Sequence, residues 1–421
     1  MLLNQGSADR VISDLEMRSL LRPVFEQMDE ARSILIVPPD ATRPQSYAGG
    51  ITSLAYEYFG DRITAILPAL GTHRPMTRTE IEYMFPRVPS TLFRRHYWRS
   101  DTVTIGHVPS EIVARFSDGC VTDPWPVQVN RLLLEGGFDL ILSVGQVVPH
   151  EVTGMANYTK NILIGLGGAD SINQSHFLSA VYGMERIMGR VDNPVRRVLD
   201  WGAKRYLAHL PIVYIQTVIS PDSHGKPVLR GLFAGRDRCC FEKAASLSSC
   251  VNITRLRNPL EKVVVYLDPA EYHSLWLGNK SIYRTRMALA DRGNLTVLAP
   301  GVTQFGEDAE IDFLIRKYGY QGTSATLAAI EANADLRNNV CAAAHLIHGS
   351  SEGRFTVTYC PGGLSRDEIC QSGYDYAEVG DMLRRYDPKR LSVGWNTMDD
   401  GELIYFINNP ALGLWLFEPL G

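Results

Sequence analysis

Three side chains of reactive type fall in one stretch of the chain: His150, Lys160 ten residues on, and His176 sixteen beyond that. A fourth, His96, lies upstream in R-R-H-Y-W-R-S-D. Two histidines, titrating near pH ~6.5 when unperturbed, can pass protons in either direction. A lysine can anchor a group covalently, and the remaining histidine can bind a metal. Two further polar motifs accompany them, Asp40-Ala41-Thr42-Arg43-Pro44 and the run from Gly71 to Thr77.

The elements around these motifs alternate between strand and helix. Residues 11–32 carry an apolar period near 3.6, the mark of a helix. A buried strand follows at 33–37, stopped by Pro38 and Pro39. A helix at 46–59 leads to a second strand at 63–71. T-E-I-E-Y-M-F then suggests a helix with Thr79 as its N-cap. The run from Asp139 is a third apolar strand and delivers His150 at its far end. Helices are expected at 172–190, with His176 in its first turns, and at 194–209, then a strand and a turn at 221–227. A second α/β unit opens at Lys262 and continues through L-T-V-L-A-P-G-V and R-F-T-V-T-Y-C-P-G-G. The fold class is therefore α/β, in two α/β domains with the active site in the cleft between them. The expected division is 1–258, with 402–421 returning to that domain, and 259–401. All three polar motifs follow an apolar strand, where α/β sheets bind ligands.

Composition narrows the function. The 421 residues exceed what one core usually serves. A formal charge of −4 makes no case for nucleic acid or an anionic membrane as partner. Seven cysteines without a pairing framework, and a start lacking a signal-peptide pattern, place the protein in a reducing cytoplasm. No run approaches the ~20 apolar residues that span a bilayer. His107, His209, His345 and His348 read as structural, and Cys239-Cys240 as packing. Gly165, Gly167 and Gly168 do not match G-x-G-x-x-G and read as a turn that lets the backbone pass close to a cofactor.

Taken together, Asp40 to Pro44, Gly71 to Thr77, His96, and the His150, Lys160 and His176 spacing resemble the lactate racemase family. The resemblance is strong over residues 30–180 and loose beyond. It implies a nickel pincer nucleotide, a pyridinium-3,5-bisthiocarboxylic acid mononucleotide carrying Ni2+, attached at Lys160 through a thioamide. It implies that two sulfurs and a ring carbon of that cofactor bind nickel together with His176, a near-planar donor set suited to Ni(II). His96 and His150 would be the paired acid/base groups. Arg43 would hold the substrate carboxylate or stabilise developing charge, a task its planar fork suits, and would also contact the cofactor. Asp40, Thr42 and Thr153 would contact the cofactor or orient its neighbours, and Thr72, His73 and Arg74 would serve its phosphate. The partners implied are a small 2-hydroxy acid and the enzymes that build the cofactor.

The implied reaction is racemisation or epimerisation at a carbon whose hydrogen is barely acidic. A cofactor that accepts hydride avoids removing it as a proton. The family's lactate-active members carry a tyrosine-glutamine pair, with a lysine three residues after the glutamine. Here Tyr283 keeps the tyrosine as a cofactor contact, Arg284 replaces the glutamine, and Met287 falls where the lysine belongs. Lys280, Arg284 and Arg286 are the candidate cations for the substrate. This departure points away from lactate, towards another short aliphatic 2-hydroxy acid or an aldonic acid. Two other readings stand beside it: a nicotinamide-dependent 2-hydroxyacid dehydrogenase, and a protein that binds the nucleotide cofactor without turnover.

Overall fold

The computed structural model describes residues 1–222 and 225–419. Ser223 and His224 of the expected turn, and the last two residues of the expected C-terminal return, lie outside the described residues. The chain divides into two compact units. The first comprises Met1–Tyr182 and Arg186–Asn252, and the second Gly183–Glu185 and Ile253–Gly421.

The first unit is built on six strands: β1 (Leu3–Gly6), β2 (Ile34–Val37), β3 (Ile63–Ile66), β4 (Leu140–Gln146), β5 (Ile212–Pro221) and β6 (Pro227–Gly235). Their order is β1-β6-β5-β4-β2-β3. The four strands from β5 to β3 are parallel, while β6 and β1 add antiparallel. Every residue of β2 and β4 is buried, as a parallel sheet covered on both faces requires. Alternate residues of β2 divide between two cores. Ile34 and Ile36 join one, and Leu35 and Val37 the other.

That strand order creates a switch point. From β2 the chain steps outward to β3, then returns across β2 to lay β4 on its other side. The crevice outside the carboxyl ends of β2 and β4 is therefore open between diverging connections, the usual ligand position of such sheets. The Asp40 motif and the His150 to Lys160 segment leave the sheet at these two ends.

Several expectations hold in outline and shift in detail. The first long helix is Asp14–Glu26, capped by Ser13. The helix after β3 is Arg78–Met84, and its N-cap is Thr77 instead of Thr79. Thr77 wins because Glu80 lies three residues on and closes a capping box. The helix bearing His176 runs Ala169–Tyr182, ending before Gly183 at φ 100. The run of the sequence did not suggest the short helix Thr159–Leu163, nor the antiparallel pair Thr102–Val108 with Trp125–Asn130.

The second unit carries β7 (Leu260–Tyr266), β8 (Leu289–Ala299), β9 (Thr356–Pro361), β10 (Asp375–Tyr376), β11 (Gly394–Thr397) and β12 (Leu403–Ile407). The order is β10-β9-β8-β7-β12-β11, parallel except for β11. The described residues of 402–421 do not return to the first unit. The strand Leu403–Ile407 extends this second sheet beside β7, and Leu414–Phe417 pairs with Ile253–Leu256. The unbroken apolar run of β12, buried from Ile404 to Ile407, needs a sheet neighbour and finds it locally.

Candidate active site

The site is assembled by bonds between the motifs that end the strands. Asp40 follows β2 and is buried. Its Oδ1 accepts from the Thr42 hydroxyl at 2.6 Å and the Thr42 N–H at 3.2 Å, and its Oδ2 accepts from His73 Nδ1 at 2.7 Å. Burial by itself would raise this carboxyl, but His73, Thr42 and Arg43 overcome it and hold the pKa at about 2. The charged carboxylate thus clamps the first polar motif to the second. Gly71, at φ 60, donates its N–H to the Gly165 carbonyl at 2.9 Å, joining the second motif to the loop after Lys160. Asn161 Nδ2 reaches Val37 O at 3.2 Å and Ser143 Oγ at 3.0 Å, pinning the lysine's helix to the end of β2 and the middle of β4.

Lys160 sits in that short helix, directly after two non-glycine residues in the left-handed half of φ, Asn157 at 69 and Tyr158 at 58. Such backbone is costly and is found where surroundings impose it. Among the described residues no hydrogen bond or ion pair holds its Nζ. Burial, and then the Arg43 guanidinium, push the ammonium down to about 8, against the pull of Glu151 and Asp40. A lysine held in this way is nucleophilic near neutrality.

His176 donates from Nδ1 to the Ile172 carbonyl at 2.8 Å. The neutral ring therefore presents an unprotonated Nε2, the form that ligates a metal. Burial lowers its pKa, the Ile172 carbonyl and Glu151 oppose that, and Lys160 adds to it. Lys160, Glu151 and His176 thus share one electrostatic neighbourhood. Among the described residues no group of three or more His, Cys, Asp or Glu could hold a metal. A metal at His176 would need its other donors from a bound group.

The two candidate acid/base histidines are both buried. His150 accepts the Val152 N–H on Nδ1 at 3.1 Å, with Glu151 Oε1 3.8 Å from its Nε2. His96 follows β3, where Arg94 N–H bonds Ile66 O at 2.8 Å. Asn130 Nδ2 lies 2.9 Å from its Nδ1. Burial pushes His96 down to about 4, with Asp101 and the Gly167 backbone opposing.

Other expected residues are engaged elsewhere. Arg74 forks onto Glu80 at 3.0 and 2.6 Å, supporting the capping box. The Thr153 hydroxyl donates to Met155 O at 2.9 Å, closing a turn. Thr72 lies in the Gly71 turn, half-buried. The glycines after Lys160 answer to packing within the protein. A Cβ on Gly165 would stand 2.4 Å from Asn161 O, and one on Gly167 2.2 Å from Leu163 O. In the second unit, Tyr283 bonds His345 Nδ1 at 2.7 Å. Arg286 pairs with Glu185 at 2.6 Å and donates to His348 O and Ser350 O. Arg284 is buried with Nη1 3.5 Å from Gly413 O, and Lys280 lies over the Tyr272 ring. Glu151 and Asn130 were not singled out from the sequence. The signal for Glu151 was its adjacency to His150; Asn130 offered none beyond closing an apolar strand.

Residues 9–187 match the model of the lactate racemase N-terminal domain. That stretch of the chain is similar to the lactate racemase N-terminal domain. Among solved structures, a protein from Thermotoga maritima superposes with a TM-score of 0.83 at 22% identity, over 98% of this chain and 100% of that one. The lactate racemase apoprotein from Thermoanaerobacterium thermosaccharolyticum superposes with a TM-score of 0.70 at 18% identity, over 98% and 94%. These likenesses establish the fold. No curated protein sequence matches the chain. No helix among the described residues is long and apolar enough to cross a membrane.

Proposed function

We propose that this protein is a racemase or epimerase of 2-hydroxy acids that works through a nickel pincer nucleotide attached at Lys160. The observation that carries the reading is the pairing of an unengaged, half-buried Lys160 amine with a His176 that offers Nε2 in the same electrostatic neighbourhood. A lone protein ligand fits a cofactor that brings its own sulfur and carbon donors. When bound, such a group supplies a reversible acceptor for the hydrogen on the substrate's α-carbon.

The rest is the work of the chain's own residues. Arg43, whose guanidinium acts on both Asp40 and Lys160, is the cation for the substrate carboxylate. Asp40 holds His73 and Thr42 in place and keeps its charge through the working pH range. His96 and His150 are the paired acid/base groups for the reacting oxygen, which alternates between hydroxyl and carbonyl. Their burial excludes bulk water, which strengthens each hydrogen bond they make to it. The substrate is a short aliphatic 2-hydroxy acid other than lactate, or an aldonic acid. The support is Arg284 and Met287, which stand where lactate-active members carry glutamine and lysine. The test is intact-mass and nickel analysis of protein coexpressed with the cofactor-building enzymes. It is followed by chiral chromatography on single-enantiomer 2-hydroxy acids. An unmodified Lys160 without nickel overturns the reading.

A further inference from the structure

The chain just before Lys160 follows a backbone path that its residues do not favour. Asn157 has φ 69, and Tyr158 has φ 58 with ψ −133. Glycine reaches that second conformation freely, whereas a tyrosine there must be held by its surroundings. The holding groups come from one place, the start of the helix Pro194–Tyr206. Its N-cap, Asn193, donates from Nδ2 to the Thr153 carbonyl at 3.1 Å. Arg196, in the first turn, is fully buried. Its Nη2 donates to Met155 O at 2.5 Å, and its Nη1 to Asn157 O at 3.3 Å and Thr159 Oγ1 at 2.8 Å. One helix end therefore grips residues 153, 155, 157 and 159, every second residue of the segment that leads into Lys160.

The grip is directional. A guanidinium is a planar fork, and here it reaches two carbonyls and a hydroxyl at once, which the point charge of a lysine does not reproduce. Arg196 is itself fixed. Its backbone N–H donates to Asn193 Oδ1 at 2.9 Å, and its guanidinium carbon lies 4.5 Å from the centre of the Phe241 ring. The Tyr158 ring stacks on Phe241 as well, at 5.3 Å with 12° between planes. The Thr159 hydroxyl passes the contact on, donating to Asp200 Oδ1 at 2.6 Å, while Arg238 holds Asp200 Oδ2 at 2.7 Å. No carboxylate among the described residues pairs with Arg196 directly. An apolar side chain would fill the same space with less desolvation. What the guanidinium adds is a defined course for the backbone it holds.

We propose that Arg196 is the positioning residue of Lys160: by fixing the oxygens of Met155, Asn157 and Thr159 it imposes the turn at Tyr158 and so sets where the lysine presents its amine. The role in presenting the amine rests on the reading of Lys160 as the attachment point; the clamp on residues 153–159 does not.

The test compares cofactor-free parent with three variants. Arg196→Lys keeps the charge and loses the fork, Arg196→Met loses both, and Thr159→Val removes only the bonded hydroxyl. Amide hydrogen exchange is read by mass spectrometry on peptides covering 155–164, and Lys160 reactivity by acetic anhydride labelling across the alkaline range. The parent's labelling midpoint is expected at about 8, set first by burial and then by Arg43, Glu151, Asp40 and Arg196. In Arg196→Lys, exchange over 155–164 should quicken roughly tenfold or more, with other peptides of the unit unchanged. The midpoint should rise by about one pH unit or more as the loosened amine reaches water. Arg196→Met should behave alike, and Thr159→Val should show a smaller effect in the same peptides. On coexpression with the cofactor-building enzymes, Arg196→Lys should carry added mass at Lys160 in at most about a fifth as many chains as the parent. Parent-like exchange or an unmoved midpoint in Arg196→Lys overturns the inference. So does faster exchange spread evenly over the unit, which marks a residue serving stability alone. If neither Arg196 variant folds, Thr159→Val decides by the same two readings. A loosened segment together with a parent whose Lys160 never gains mass defeats the attachment reading and leaves the clamp standing.

Discussion

Replacing Lys160 by methionine should make the cofactor-free protein more stable at neutral pH. The ammonium is half-buried, feels the Arg43 guanidinium and has no hydrogen-bond or ion-pair partner among the described residues. Its pKa falls from 10.5 to about 8 on folding. At about 1.4 kcal/mol per pH unit the gap corresponds to ~3 kcal/mol. The sign follows from proton binding. Between the two values the unfolded chain holds a proton that the folded chain has lost, so stability rises with pH across that window. Below about pH 8 both states are charged and the full cost is present; above about pH 10.5 both are neutral and it vanishes. Lys160→Met removes the charge and keeps most of the apolar stem, so it should gain up to ~3 kcal/mol at pH 7. The assay is urea denaturation of both proteins from pH 6.5 to 10. The advantage of Lys160→Met should be largest at the acid end and shrink steadily above pH 8. A variant less stable than the parent at pH 7, or an advantage independent of pH, would show that the Lys160 charge does not cost the fold stability.

Two further substitutions probe the neighbouring groups. Asp40→Asn should cost ~2 kcal/mol at pH 7, because the folded carboxyl stays charged down to about pH 2 against an ordinary 3.8. That contribution is complete above pH 3.8 and is lost as pH falls through 2, so thermal melts should separate the two proteins at pH 7 and converge in strong acid. His176→Ala should abolish nickel retention while leaving the added mass at Lys160, which metal analysis and peptide mass spectrometry read independently.

The strands that end in the site were legible in the sequence because their apolar runs stop abruptly. Pro38 and Pro39 close β2, and β4 is seven buried residues that cannot face water. Once three such strands are placed, their carboxyl-end motifs fall together by the rules of α/β topology. The parts that stayed hidden depend on contacts distant in sequence. Thr159–Leu163 is too short to show a period, and Asn157 and Tyr158 take positive φ without a glycine to announce it. Asn130 matters only because a remote pair of strands brings it against His96. The glycines at 165 and 167 looked made for a ligand, yet their close neighbours are the carbonyls of Asn161 and Leu163. At the far end of the chain, β12 could have served either unit, and it joins the sheet that β7 already offered.

The central claim is that Lys160 and His176 together hold one metal-bearing nucleotide. The most direct measurement is intact mass with nickel quantification on protein coexpressed with the cofactor-building enzymes. One added nucleotide mass located on the Lys160 peptide and one nickel per chain are expected. A Lys160 peptide of unmodified mass, in protein without nickel, would contradict it.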